Sequence, residues 1–90
     1  MMNSQVNWDL HIDDSVFKAL KKIPKKNREA ILSTIKFLQI NPYFGDLQKM
    51  QGEENSWRRR VGDYRIFYKI KVEQKAILVF QVKRRTSNTY

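Results

Sequence analysis

Two runs of strongly β-forming residues flank Gly62-Asp63, and this arrangement constrains the fold more than any other part of the sequence. Residues 56–61 and 64–70 are rich in aromatic and branched side chains, which favour strands. A glycine followed by aspartate between two such runs is the signal of a two-residue turn of the Gly-first kind. The sequence therefore predicts a β-hairpin.

The hairpin carries arginines at neighbouring positions of its first strand. Side chains of a strand alternate between its two faces. In the first strand, Trp57, Arg59 and Val61 therefore lie on one face, and Arg58 and Arg60 lie on the other. In the return strand, one face carries Tyr64, Ile66, Tyr68 and Ile70, and the other carries Arg65, Phe67 and Lys69. Because Arg59 shares the parity of apolar residues, we expect it near the core or at its rim, with its stem packed.

The positive charge of the chain is concentrated in its C-terminal part. The net charge is +9, and residues 57–90 hold ten Lys or Arg against two acidic residues. Residues 1–56 hold eight Lys or Arg against seven acidic residues. Six of the ten C-terminal cations are arginines, whose planar guanidinium matches phosphate oxygens. We expect a partner that carries phosphates or clustered carboxylates.

Composition excludes several other classes of function. The 90 residues predict a single domain, residues 1–90, with one core. The absence of cysteine excludes thiolate chemistry, and the single histidine, His11, makes a histidine metal cluster implausible, so no metal or cofactor is expected. The N-terminus is too polar for a signal peptide, and no apolar run approaches a membrane span. A cytoplasmic protein without a membrane partner is expected.

The order of the predicted elements indicates an α+β fold. An alternating strand over residues 6–12 precedes two helices. The first has N-cap candidates in Asp13-Asp14-Ser15 and ends at Pro24. The second runs from about Lys25 to Ile40, with Ile31, Ile35 and Leu38 on its inner stripe. A short strand over residues 47–50 and the hairpin follow, and residues 76–82 indicate a strand buried on both faces. We expect an antiparallel twisted sheet in the order β-α-α-β-β-β, with room for one further strand. The helical hairpin should pack on one face.

The second half of the chain resembles the RelE/ParE superfamily of bacterial and archaeal toxins. The resemblance is carried by Lys49-Met50-Gln51-Gly52, by Trp57-Arg58-Arg59-Arg60-Val61-Gly62-Asp63-Tyr64-Arg65-Ile66, and by a buried strand followed by Lys83-Arg84-Arg85 and Tyr90. The N-terminal helical hairpin agrees in layout. The resemblance thus covers nearly the whole chain and implies a type II toxin–antitoxin toxin of the RelE/ParE fold.

The RelE branch, as the resemblance implies, cuts messenger RNA in the ribosomal A site and is neutralised by a RelB-like antitoxin. The expected partners are therefore this antitoxin, messenger RNA and the ribosome. The family's catalytic positions fall on Arg58, Arg60, Arg65, Arg84 and Tyr90. If the alignment of the C-terminal tail with the family shifts by one residue, this catalytic position falls on Arg85 instead of Arg84. Supporting RNA contacts fall on Lys49, Lys83 and Arg85.

Metal-independent RNA cleavage uses the ribose 2′-OH as nucleophile on the adjacent phosphate. It needs a base for the 2′-OH proton, an acid for the leaving 5′-oxygen, and cations for the charged transition state. Arginine suits the cationic role but is a poor base. Lys83 and Tyr90 are candidate bases, although free lysine and tyrosine side chains hold their protons up to about pH 10. Alternatively, the ribosome orients the 2′-OH and the protein supplies electrostatics.

Two other functions are compatible with the sequence. The ParE branch shares the fold and inhibits DNA gyrase without nuclease activity. A basic RNA-binding domain without catalysis is the third reading, because arginine-rich strands are also ordinary solvated faces. Under either toxin reading, the antitoxin covers the arginines, displaces the C-terminal tail or prevents A-site entry by its bulk, and the sequence does not choose among these.

Overall fold

The elements of the protein follow the predicted order of strand, two helices and further strands. The computed structural model describes residues 8–45, 47–52 and 55–84. Its elements are β1 (Asp9–Ile12), α1 (Asp14–Lys21), α2 (Lys25–Leu38), β2 (Leu47–Lys49), β3 (Ser56–Val61), β4 (Tyr64–Lys71) and β5 (Ala76–Arg84). The α+β class is confirmed, and four strands follow the helices.

The five strands form one mixed sheet in the order β1-β5-β4-β3-β2. Strands β2 to β5 are antiparallel neighbours, and β3 and β4 pair directly across Gly62-Asp63. Gly62 has a φ of 59°, as a Gly-first turn requires. The expectation of an antiparallel sheet is wrong for β1, which runs parallel to β5. The two helices carry the chain to the far edge, and three reversals then bring β5 back in the direction of β1.

The two helices begin where the sequence predicts and cover one face of the sheet. Asp13 is the N-cap of α1, and its carboxylate accepts the backbone N–H of Ser15 at 3.1 Å. Hydrogen bonds from the Ser15 hydroxyl and N–H lower the pKa of this carboxyl. Helix α2 ends at Leu38, two residues before the predicted end. In the described part of the chain, no helix is long and apolar enough to cross a membrane.

The core lies between the helices and the sheet. Its buried residues are Val16, Leu20, Ile23, Ile31, Ile35, Leu38, Tyr64, Ile66, Tyr68, Ile70, Ile77, Val79 and Val82. The predicted inner stripe of α2 is confirmed, since Ile31, Ile35 and Leu38 are fully buried. The Tyr68 hydroxyl donates to the Pro42 carbonyl at 2.9 Å, and burial raises the pKa of Tyr68 to about 12. We call this helix-packed side of the sheet the covered face and the opposite side the open face.

Strand β5 contains a bulge. Its register with β4 passes from Val79 opposite Tyr68 to Gln81 opposite Phe67, which leaves Phe80 as the extra residue. Val79 and Val82 are therefore both buried although they differ in parity. Strand β5 lies inside the sheet, as expected. Its burial is complete only on the covered face, because Leu78 and Phe80 are half-buried.

Candidate functional site

The basic side chains of the hairpin lie together on the open face. Arg58 is opposite Phe67, and Arg60 is opposite Arg65, in the pairing of β3 with β4. Arg65 is in turn opposite Lys83 on β5. Directly opposite residues of antiparallel strands project from the same side of a sheet. The alternation along β4 turns Arg65 away from the core residues Tyr64 and Ile66, so all of these cations face away from the helices.

The same cations line a concave surface. A hollow of about 430 Å³ is lined by Arg58, Arg65, Phe67, Lys83 and Arg84. A smaller hollow of about 70 Å³ adjoins it, lined by Gln48, Arg58, Arg60 and Arg65. We call the two together the arginine hollow. Because no described residue that lines it is acidic, the arginine hollow is a cationic surface that attracts phosphate.

Gln48 fixes the orientation of Arg58. The Arg58 guanidinium donates to the Gln48 Oε1 at 2.7 Å, and the two residues are directly opposite in the pairing of β2 with β3. Arg58 is half-buried, so both its stem and its head are constrained. Sequence reasoning did not find Gln48. The available signal was its central position in a short strand that precedes the arginine strand.

Arg59 has a structural role on the covered side of the hairpin, as its parity predicted. Its guanidinium donates to the Phe44 carbonyl at 2.7 Å and lies 5.4 Å from the centre of the Phe44 ring. Its Nε is buried without a hydrogen-bond partner. Gly45 has a φ of 96°, and a Cβ there would collide with this guanidinium. Arg59 therefore holds the loop before β2.

The remaining predicted site residues divide into three groups. Arg84 and Lys83 join the arginine hollow, although the register places Arg84 opposite the core residue Tyr64. Lys49 lies opposite Trp57, on the parity of the covered face, and the structure does not bring it into the hollow. Arg85 and Tyr90 lie outside the described residues.

Two aromatic side chains belong to the open face and were missed as site residues. Phe67 retains only 9% exposure although no described helix covers this face, and it lines the arginine hollow. The Phe80 ring lies 6.4 Å from the Phe67 ring, centre to centre. The signal for Phe67 was its parity, which it shares with Arg65. No pattern in the sequence indicated Phe80, because the bulge interrupts the alternation of side chains along β5 at this residue.

Groups that could bind a metal ion are sparse. Within the three described ranges, no three His, Cys, Asp or Glu side chains gather into a cluster. His11 lies at the surface, with its Nε2 3.0 Å from a carboxylate oxygen of Asp9. The described residues that line the arginine hollow include no carboxylate, histidine or cysteine.

Comparisons with known proteins agree with the motif. Residues 10–89 match the family described as the ParE toxin of type II toxin–antitoxin systems, parDE. A protein of Methanocaldococcus jannaschii named RelE1 is 25% identical over 83 residues, which cover 89% of this chain and 92% of that protein.

Solved RelE structures share the fold. The archaeal RelE–RelB complex of Pyrococcus horikoshii aligns with a TM-score of 0.78 at 28% identity, covering 89% of this chain and 97% of that chain. The isolated E. coli RelE toxin aligns with a TM-score of 0.75 at 18% identity, covering 90% of this chain and 87% of that chain. The chain belongs to the ParE toxin family, within the RelE/ParE superfamily of type II toxin–antitoxin toxins, and its fold is of the RelE type.

Proposed function

We propose that this toxin is a ribosome-dependent endoribonuclease that cuts messenger RNA in the A site. The observation that carries the proposal is the convergence of Arg58, Arg65 and Arg84 on one hollow. These residues come from three different strands, and an ordinary solvated face gives no reason for them to surround a common concave surface. A phosphate seated there would be contacted from several directions.

The reaction in this proposal is attack of a ribose 2′-OH on the adjacent phosphorus, with departure of the 5′-oxygen. Arg58 and Arg65 bind the non-bridging oxygens and stabilise the negative charge that grows in the transition state. Arg84 lies at the end of β5 and neutralises the leaving oxygen. Gln48 holds the Arg58 guanidinium before substrate arrives, so little reorganisation is needed during the reaction.

The arginine hollow offers one described candidate for the proton acceptor. Of the described residues that line the arginine hollow, Lys83 alone has a side chain that could accept a proton in its neutral form. Tyr90 remains a second candidate from the sequence. We propose that the ribosome orients the 2′-OH for in-line attack and that the toxin contributes mainly electrostatic stabilisation. This division of labour predicts little cleavage of free RNA.

A RelB-like antitoxin is the proposed partner that silences the toxin. Several solved relatives are RelE–RelB complexes, among them those of Pyrococcus horikoshii and Mycobacterium tuberculosis. The open face offers a cationic surface to which an acidic segment would be complementary. An antitoxin bound there would block access of RNA to the arginine hollow.

The proposal is tested by incubating the purified toxin with a defined messenger RNA, with and without translating ribosomes. New 5′ ends are mapped by primer extension. We expect cuts within codons that require ribosomes and disappear in Arg65→Ala and Tyr90→Ala. The exposed helix-side variant Lys21→Gln is the control and should cut like the wild type. Equal cutting by wild type and Arg65→Ala would contradict the proposal.

A ParE-like inhibition of DNA gyrase is the second candidate, and the family match to ParE toxins favours it. Such a toxin would arrest growth without cutting RNA. A supercoiling assay with purified gyrase distinguishes the two, because inhibition of gyrase together with intact messenger RNA supports the ParE-type activity alone.

A further inference from the structure

The bulge of β5 places an aromatic ring next to the arginine hollow. Phe80 is the unpaired residue of this bulge, and its ring lies 6.4 Å from that of Phe67, which lines the hollow. The Lys69 ammonium lies 5.9 Å from the centre of the Phe80 ring. Phe67 and Lys69 share the open face of β4, so Phe80 also projects there. Bulges often redirect a side chain beside an active site.

The surface is continuous from the arginine hollow to this ring. Arg65, Phe67 and Lys69 follow one another at every second position of β4, so the two cations are separated by about 13 Å along the strand. Neither β4 nor β5 contains an acidic residue. A polyanionic strand that leaves the hollow along β4 therefore meets a ring and a second cation.

We infer that Phe80 and Lys69 form a subsite for a nucleotide of single-stranded RNA that flanks the scissile phosphate. The base stacks against Phe80, and the phosphate of that nucleotide pairs with Lys69. The inference rests on the proposed function, because the arginine hollow must bind RNA for its flank to reach Phe80. A phenylalanine ring offers no hydrogen bond, so the subsite accepts any base.

The test measures binding of a short 2′-O-methyl oligonucleotide, which lacks the 2′-OH nucleophile and is not cut. Wild type and Phe80→Leu are each titrated with the intact oligonucleotide and with a set in which one position at a time is abasic. Phe17→Leu is the matched control, since Phe17 is exposed on α1, a helix of the covered face. Thermal unfolding of Phe80→Leu establishes that the variant is folded.

We expect Phe80→Leu to weaken binding of the intact oligonucleotide about fivefold to thirtyfold. At one abasic position, Phe80→Leu should have little further effect, because the base that Phe80 contacts is already missing. Lys69→Gln, at a half-buried position of β4, should reduce the magnitude of the slope of log K against log salt by about 0.7. Lys21→Gln should leave this slope unchanged.

Several results would overturn the inference. One is an effect of Phe80→Leu that is equal at every abasic position, and another is no difference between Phe80→Leu and Phe17→Leu. Absence of oligonucleotide binding would also overturn it, although ribosome-dependent cutting would still support the proposed function. Conversely, Phe80-dependent binding by a protein that cuts no RNA would leave the subsite intact and refute the nuclease. Weakened antitoxin binding with unchanged RNA binding would assign the ring to the protein partner and overturn the inference.

Discussion

The covered and open faces of the sheet are built from the same strands but from different interactions. On the covered face, Ile66, Tyr68 and Val79 are fully buried against two helices. On the open face, Phe67 lines the arginine hollow together with Arg58 and Arg65. Arg58 and Arg59 are adjacent in sequence, yet the first lines the arginine hollow and the second holds a loop. Alternation along a strand thus separates stability from the proposed chemistry within one hairpin.

The largest expected effect lies on the covered face. Ile35→Ala leaves a cavity at a fully buried position of α2 and should lower the free energy of unfolding by about 2–5 kcal/mol. Urea titration gives this value. Phe17→Ala, at an exposed position of α1, is the control and should change stability by less than about 0.5 kcal/mol. A small effect of Ile35→Ala would mean that the core does not lie where the structure has it.

Changes on the open face should affect cleavage more than folding. Arg58→Ala removes a cation from the arginine hollow and should slow ribosome-dependent cleavage about 100-fold to 1000-fold. Gln48→Ala leaves the guanidinium in place without its acceptor and should slow cleavage about tenfold. Single-turnover assays measure both rates. A larger effect for Gln48→Ala than for Arg58→Ala would reverse the roles assigned to the pair.

Arg59 tests the boundary between the two faces. Arg59→Ala removes the hydrogen bond to the Phe44 carbonyl and should lower the free energy of unfolding by about 1–3 kcal/mol. Arg60→Ala, one residue along and exposed, should lower the free energy of unfolding less than Arg59→Ala does. Gly45→Ala should also lower the free energy of unfolding. The φ angle at Gly45 is positive, and the Arg59 guanidinium occupies the space that a Cβ would need. If Arg59→Ala and Arg60→Ala were equally stable, the structural role assigned to Arg59 on the covered face would be wrong.

The smallest effect is expected from Tyr68→Phe. Loss of the hydrogen bond to Pro42 should cost about 1 kcal/mol at neutral pH. The Tyr68 pKa is raised to about 12 by burial, so the folded state disfavours its ionised form. The hydroxyl is neutral in both states below about pH 10, and the folded protein loses about 2–3 kcal/mol as the pH rises from about 10 to 12. Tyr68→Phe should lack this loss, as unfolding titrations at alkaline pH would show.

Local patterns in the sequence predicted the features that depend on neighbouring residues. The turn at Gly62-Asp63, the inner stripe of α2 and the opposite orientations of Arg58 and Arg59 follow from turn chemistry and periodicity, and the structure agrees. The parallel pairing of β1 with β5 joins residues far apart in sequence, and no local pattern specifies it. The bulge at Phe80 interrupts the alternation of side chains along β5, so periodicity could not predict where its ring lies. The hydrogen bond between Gln48 and Arg58 depends on the register of β2 with β3, which no local pattern specifies.

The central claim is that the arginine hollow carries the chemistry and contributes little to folding. The most direct test measures, for wild type and Arg65→Ala, both the single-turnover rate of messenger RNA cleavage on ribosomes and the free energy of unfolding. We predict a rate at least about 100-fold lower in Arg65→Ala and a free energy of unfolding within about 0.5 kcal/mol of wild type. An unchanged rate, or a loss of rate fully accounted for by unfolding, would contradict the claim.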